Sequence, residues 1–216
     1  MPPKPKFTKE EIVAAALELV SEKGMEALTS RDLGARLGSS ARPIFTVFSS
    51  MEEVQQAVRK AALVRFEEFA EKAVHYKPAF KQFGMQMILF ARSEPKLYQL
   101  IWMSENREAR SFDDVFPELG EVATVCVDVI SRDYGLCYEE AMALFKQVWI
   151  FTFGIGAMCA AKVCHFSFEE INRLLGLEFM SMLMFIKSGR LNQPTPVPKP
   201  YESISSAPEE ILGGGA

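Results

Sequence analysis

Three short signals near the N-terminus fix the helical register of this chain. Thr8-Lys9-Glu10-Glu11, Thr29-Ser30-Arg31-Asp32 and Ser50-Met51-Glu52-Glu53 each place a hydroxyl three residues ahead of a carboxylate. In such a box the hydroxyl accepts an orphan backbone N–H of a new helix and the acid reaches back, so each marks a helix start. After the first box, Ile12, Ala16, Leu19 and Val20 recur at helical spacing and Gly24 supplies a stop, which predicts a helix over Lys9–Lys23. The other two boxes set helix starts near 30 and 51. Between them Gly38-Ser39-Ser40 breaks the pattern, and Ser40 can cap a second short helix from Ala41 to about Phe48. Pro43 falls in the first turn of that helix, where its missing N–H costs no bond.

Beyond residue 51 apolar residues keep returning at intervals of three and four and never alternate for long, so the chain reads as helical throughout. Expected helices run from 51 to about His75, then near 78–92, 95–108, 117–134, 138–164 and 168–187. From Arg190 onward Pro194, Pro196, Pro198, Pro200 and a terminal Gly-Gly-Gly-Ala cannot build a core, and 190–216 reads as a disordered tail. The expected fold is all-α, with an N-terminal three-helix domain over 1–50 joined to a larger helical bundle over 51–189.

The charge balance is 24 basic against 28 acidic residues, −4 in all. Residues 1–60 carry nine basic and eight acidic, net +1, leaving 15 against 20, net −5, so the front end repels a polyanion least. No secretory pattern opens the sequence, and the uncharged run Gln147–Ala161 falls short of the roughly 20 residues a bilayer span needs. A cytoplasmic protein is expected. Cys126, Cys137, Cys159 and Cys164 show no CxxC spacing and read as small core residues. The two histidines, His75 and His165, lie in no nucleophile, metal or phosphate-loop pattern, and Cys159, Cys164 and His165 do not share a helical face well. No catalytic residue, cofactor or metal site is therefore expected.

A short helix, a tight turn and a second short helix over 29–48 have the size and punctuation of a helix-turn-helix. In that geometry the second helix enters the major groove of double-stranded DNA and its first residues reach base edges. Here they are Ala41, Arg42 and Pro43, with Thr46 one turn on. Arg42 can fork to guanine O6 and N7, a contact worth about 1 to 3 kcal/mol of discrimination. Ser30 and Arg31 open the first short helix, poised for the DNA backbone. Taken by spacing alone, the same segment can equally be a helical hairpin with Leu33, Leu37, Ile44 and Phe48 as its core.

The stretch from Glu11 to Glu53, EEIVAAALELVSEKGMEALTSRDLGARLGSSARPIFTVFSSMEE, resembles the DNA-binding region of the TetR family without gaps. The resemblance implies DNA contacts from Thr29, Ser30, Arg31, Ala41, Arg42, Pro43, Phe45 and Thr46. Three positions depart from the family pattern: Phe45 where Tyr is frequent, Val47 where His or Tyr is, and Met51 where Lys is. All three remove phosphate-contacting groups, which lowers affinity and flattens its salt dependence. A helical ligand-binding or adapter protein of the same fold that has lost DNA binding is the alternative.

Residues 80–160 are rich in Phe, Met and Trp, which suit an adaptable apolar cavity between helices as well as a filled core. The candidate lining is Phe83, Met87, Phe90, Trp102, Met103, Phe116, Trp149 and Phe153. The segment Phe90 to Met103, FARSEPKLYQLIWM, is similar to the corresponding region of a TetR subgroup. The last two expected helices are apolar over more than one face and must be buried. In the TetR family such helices pair with their twofold mates, so the resemblance implies a homodimer. It also implies a repressor that leaves a palindromic operator when a small apolar effector, of unknown identity, binds.

Overall fold

The computed structural model describes residues 5–72, 79–104, 110–119, 121–191 and Gln193. Helix α1, Lys9–Lys23, carries the complete Thr8 box, with Glu11 N–H donating to the Thr8 hydroxyl at 3.2 Å and Glu11 accepting from Thr8 N–H at 2.8 Å. It stops at Gly24, whose φ of +89° an L side chain rarely adopts. Helix α2, Ser30–Arg36, starts on Thr29, but Asp32 takes the Thr29 hydroxyl instead of returning to the cap backbone. Helix α3, Met51–Glu71, is capped by Ser50, while Glu53 reaches one residue further to Ser49 N–H and Oγ.

Between α2 and α3 the expected helix over 41–48 contracts to a single 3-10 turn, Ile44–Thr46. Ser40 makes no cap bond there; Pro43 holds the cap position and donates nothing. Ile44, Phe45, Thr46 and Val47 are poor helix formers, and the Thr46 hydroxyl donates to Pro43 O at 2.6 Å, competing with the backbone ladder. One α-type bond survives, from Phe48 N–H to Ile44 O at 3.0 Å.

The remaining helices are α4 Ala79–Ser93, α5 Pro95–Trp102, α6 Phe112–Val115, α7 Glu121–Tyr134, α8 Tyr138–Ala160 and α9 Phe168–Lys187. Helix α3 ends at Glu71, and the rest of its expected run to His75 lies, past Lys72, outside the described residues; three other boundaries differ from expectation for local reasons. Helix α5 ends at Trp102 because its last carbonyls are taken by side chains: Arg59 donates to Leu100 O and Ile101 O at 3.3 and 3.0 Å, and Ser104 Oγ to Leu100 O at 2.8 Å. Helix α6 is nucleated by a Ser111–Asp114 box, so a 3-10 turn over Phe116–Leu119 precedes α7. Helix α8 stops at Ala160 because Lys162 turns left-handed, φ +56°, and Val163 N–H closes back on Met158 O at 2.9 Å.

Helix α8 is the axis of the bundle, packed by α4, α5, α7 and α9. By length and composition it could cross a membrane, yet Ala141, Leu144, Phe145, Val148 and Ile155 are buried core. One apolar cluster runs from Ile12 in α1 through α3, α4 and α5 to Leu175 in α9; a second, at the far end, joins Phe80, α7, α8, Leu183 and Ile186. Of the four cysteines, Cys126 and Cys159 are core, whereas Cys164 is half-buried and Cys137 exposed at the start of α8. The 190–216 tail lies outside the described residues apart from Arg190, Leu191 and Gln193.

Candidate nucleic-acid interface and effector cavity

Helix α2 and the 41–48 turn meet unusually closely. A Cβ on Gly34 would stand 2.9 Å from both Ser40 C and Ala41 N, so only glycine lets the backbone of the turn lie on α2. Leu33, Ile44 and Phe48 are buried beneath, anchoring the turn on α1 and α3, and Leu37 is half-buried. The outer face then presents Arg31, Arg42, Phe45 and Thr46 to solvent, with Ser30, Ala41 and Pro43 half-buried beside them. Thr29 is exposed, but its hydroxyl is committed to capping α2, as the Thr46 hydroxyl is to Pro43 O.

The cations of this face divide by partner. Arg36 makes a two-pronged pair with Glu22 of α1, at 2.8 and 2.7 Å, and hydrogen bonding from Arg36 holds the Glu22 carboxyl below its ordinary value. Lys9 lies 3.8 Å from Glu53. Among the described residues neither Arg31 nor Arg42 has a carboxylate partner. Lys6 donates to Ser39 Oγ at 3.2 Å, adding a cation beside the turn that helical periodicity could not locate.

A second feature begins about 8 Å along α3, a cavity of 570 Å³ between α3, α4, α5, the 112–119 segment, α7 and α8. Phe83, Met87, Trp102 and Trp149 of the expected lining meet there, beside Leu63, Phe66, Ile101 and Phe145. Phe90 is fully buried behind it, edge-on to Phe66 and Trp102 at 5.3 and 6.2 Å between ring centroids. Phe153 stacks on Trp149 at 5.5 Å and on Tyr98, Phe116 packs edge-on to Phe145, and Met103 is 43% exposed past the end of α5; none lines the cavity. Sequence reasoning looked for Phe, Met and Trp and so missed the polar wall contributed by α3: Gln56, Arg59, Lys60 and Glu67, with Ser104. A smaller cavity of 20 Å³ adjoins it through Phe83, Met87, Phe145 and Trp149. Among the described residues no group of three or more His, Cys, Asp or Glu side chains could hold a metal.

The two regions are joined. Arg65 of α3 pairs with Glu18 of α1 at 2.7 Å and with Glu94 at the start of α5, and Ser21 of α1 donates to the other oxygen of Glu94 at 2.6 Å.

The sequence profile of the bacterial regulatory proteins of the tetR family matches residues 12–58, from α1 into α3. No curated protein matches the chain in sequence. Among solved structures, a variant of TetR from Acinetobacter baumannii AYE in complex with minocycline is 18% identical, covers 86% of this chain and 99% of its own, and superposes with a TM-score of 0.57. A putative TetR-family transcriptional regulator from Mesorhizobium loti MAFF303099 is 17% identical over 81% of this chain and 94% of its own, with a TM-score of 0.55. Residues 12–58, the helix-turn-helix, thus match the tetR family of bacterial regulatory proteins, and the fold over most of the chain is like that of these solved structures.

Proposed function

We propose that this protein is a dimeric transcriptional repressor that binds a palindromic operator and leaves it when a small molecule with an apolar body enters the 570 Å³ cavity. The observation that carries the reading is helix α3. It starts on Ser50 under the helix-turn-helix, buries Val54 and Val58 against the N-terminal core, and reaches the cavity wall at Arg59, Leu63 and Phe66 with no break. A ligand that prefers one setting of α3 changes operator affinity by its differential affinity for the two settings.

On DNA, Arg42 reads a base edge and Arg31 and Ser30 hold phosphates. Thr29 and Thr46, with their hydroxyls engaged, position backbone more than they donate. Phe45, 47% exposed, supplies the apolar surface that suits a thymine methyl. Domains of 1–50 for DNA and 51–189 for effector and dimer follow the same division of labour, in a cytoplasmic protein.

The dimer reading is supported by α8 and α9. Ile150 and Met158 on α8, and Leu177, Met180, Met184 and Phe185 on α9, are exposed at helical spacing, and a Cβ on Gly154 would meet nothing within 4 Å. Such a stripe suits a four-helix interface, which would set two recognition turns about 34 to 36 Å apart. The test is binding of DNA from upstream of the protein's own gene, measured against salt for the parent and Arg42→Ala. Tight, salt-dependent binding by the parent and weaker binding by the variant are expected; no binding by either at low salt favours the adapter reading.

A further inference from the structure

The α3 wall of the cavity is chemically graded. Gln56, Arg59, Lys60, Leu63, Phe66 and Glu67 fall at helical intervals on one face, so they form a single stripe. The end nearest the helix-turn-helix is amide and cation, the middle is apolar, and the one carboxylate lies eight residues beyond Arg59, about 12 Å along the helix. Trp102 packs edge-on to Phe66 of that stripe, centroids 4.6 Å apart, and Trp149 lines the same cavity.

Among the described residues neither Arg59 nor Lys60 has a carboxylate partner. Among the described residues Arg59 donates to neutral acceptors alone, the carbonyls of Leu100 and Ile101, and Lys60 is exposed. A neutral apolar guest would strip water from both cations and return nothing. An anionic guest would return charge-assisted bonds, roughly twice as strong as bonds to a neutral carbonyl.

We propose that the effector is an amphipathic organic anion, a flat apolar body bearing one carboxylate or sulfonate, whose acid group is held by Arg59 and Lys60 while the body lies in the cavity against Leu63, Phe66 and Trp149. The proposal rests on the reading of this cavity as the effector site and sharpens it. It also supplies the coupling. The Arg59 fork now ties α3 to the last carbonyls of α5, and α5 packs on α1. An acid that draws the fork away loosens α3 from α5 next to the DNA-binding domain.

Two probes of one skeleton separate the ideas: anilinonaphthalene sulfonate, anionic, and phenylnaphthylamine, its neutral counterpart. Trp102 and Trp149 are the only tryptophans of the chain and both line this cavity, so energy transfer from them reports a probe bound in or near it. The full-length parent should bind the sulfonate about tenfold or more tighter than the amine at low salt. In Arg59→Met/Lys60→Met that preference should fall below about threefold with the affinity for the amine retained, and Lys60→Glu alone should lower it in the same direction. Equal or tighter binding of the amine by the parent, or a preference that survives both variants, overturns the anion proposal and leaves the cavity standing. If neither probe accepts energy from the tryptophans, the effector reading fails and the proposal with it.

Discussion

The Tyr98 hydroxyl donates to Phe153 O at 3.1 Å, and it reaches that carbonyl only because residue 156 has no side chain: a Cβ on Gly156 would stand 2.3 Å from the Tyr98 oxygen. Tyr98 is fully buried, and burial pushes its phenol well above the ordinary value, so it serves as a neutral donor locking α5 onto α8. Gly156→Ala should therefore destabilise the fold by about 1 to 3 kcal/mol through overpacking, and Tyr98→Phe by about 1 kcal/mol. Denaturant unfolding of the two variants checks both.

Gly34→Ala is expected to act at the DNA end. Its methyl group would press on backbone atoms of Ser40 and Ala41, which cannot rotate away as a side chain tip can. The turn must move off α2, so DNA affinity should drop more than about tenfold even where global stability falls by only about 1 to 3 kcal/mol. Parallel binding and unfolding curves measure the two effects.

The three arginines of the helix-turn-helix should separate by phenotype. Arg42→Ala should lose about 1 to 3 kcal/mol at one base position, and Arg31→Ala should weaken all sequences and lower the salt slope by about 0.9. Arg36→Ala, whose guanidinium is spent on Glu22, should leave that slope unchanged. Salt titrations with matched and single-mismatch duplexes distinguish these outcomes.

How much of this was legible in the sequence depended on whether the signal was local. Helices α1 and α9 are bounded by their own caps, Thr8 and Ser167 at their starts, and both ran as expected. The recognition turn was misjudged because a cap-like Ser40 and a tolerable Pro43 outweighed a run of β-branched and aromatic residues. The excess of Phe, Met and Trp included Phe83, Met87, Trp102 and Trp149 but did not set them apart from Phe90, Met103, Phe116 and Phe153, which lie elsewhere, because composition does not separate a hollow interior from a filled one. The polar wall of the cavity was not visible, because Arg59 and Lys60 on a helical stripe look like any solvated face until α5 is known to end beside them. Gly34 and Gly156 owe their roles to a neighbour's approach, which spacing does not encode.

The ion network between α1, α3 and the start of α5 predicts a modest, unequal response. Glu94 is 17% exposed and receives both Arg65 and Ser21, whereas Glu18 is 50% exposed. Arg65→Met should cost about 1 to 2 kcal/mol, between an exposed pair and a buried one, and Glu18→Gln less than about 0.5. A double-mutant cycle on Arg65 and Glu94 reads the coupling directly.

Burial pushes the Cys126 thiol up from 9.0 to about 12. The folded state holds the neutral thiol, so this contribution to stability is fully present below the ordinary thiol value of 9.0 and is lost as pH rises from there toward about 12. The unfolding midpoint of the parent should fall more steeply over that window than that of Cys126→Ala.

Selection of bound duplexes from a random pool by the purified protein decides whether it reads an inverted repeat under ligand control. A dimeric repressor with this cavity should enrich an inverted repeat whose half-sites lie about one helical turn apart, or a whole number of turns, and should release it when the cavity is filled. Enrichment of no sequence, or of a single unrepeated site whose binding is indifferent to cavity ligands, would contradict it.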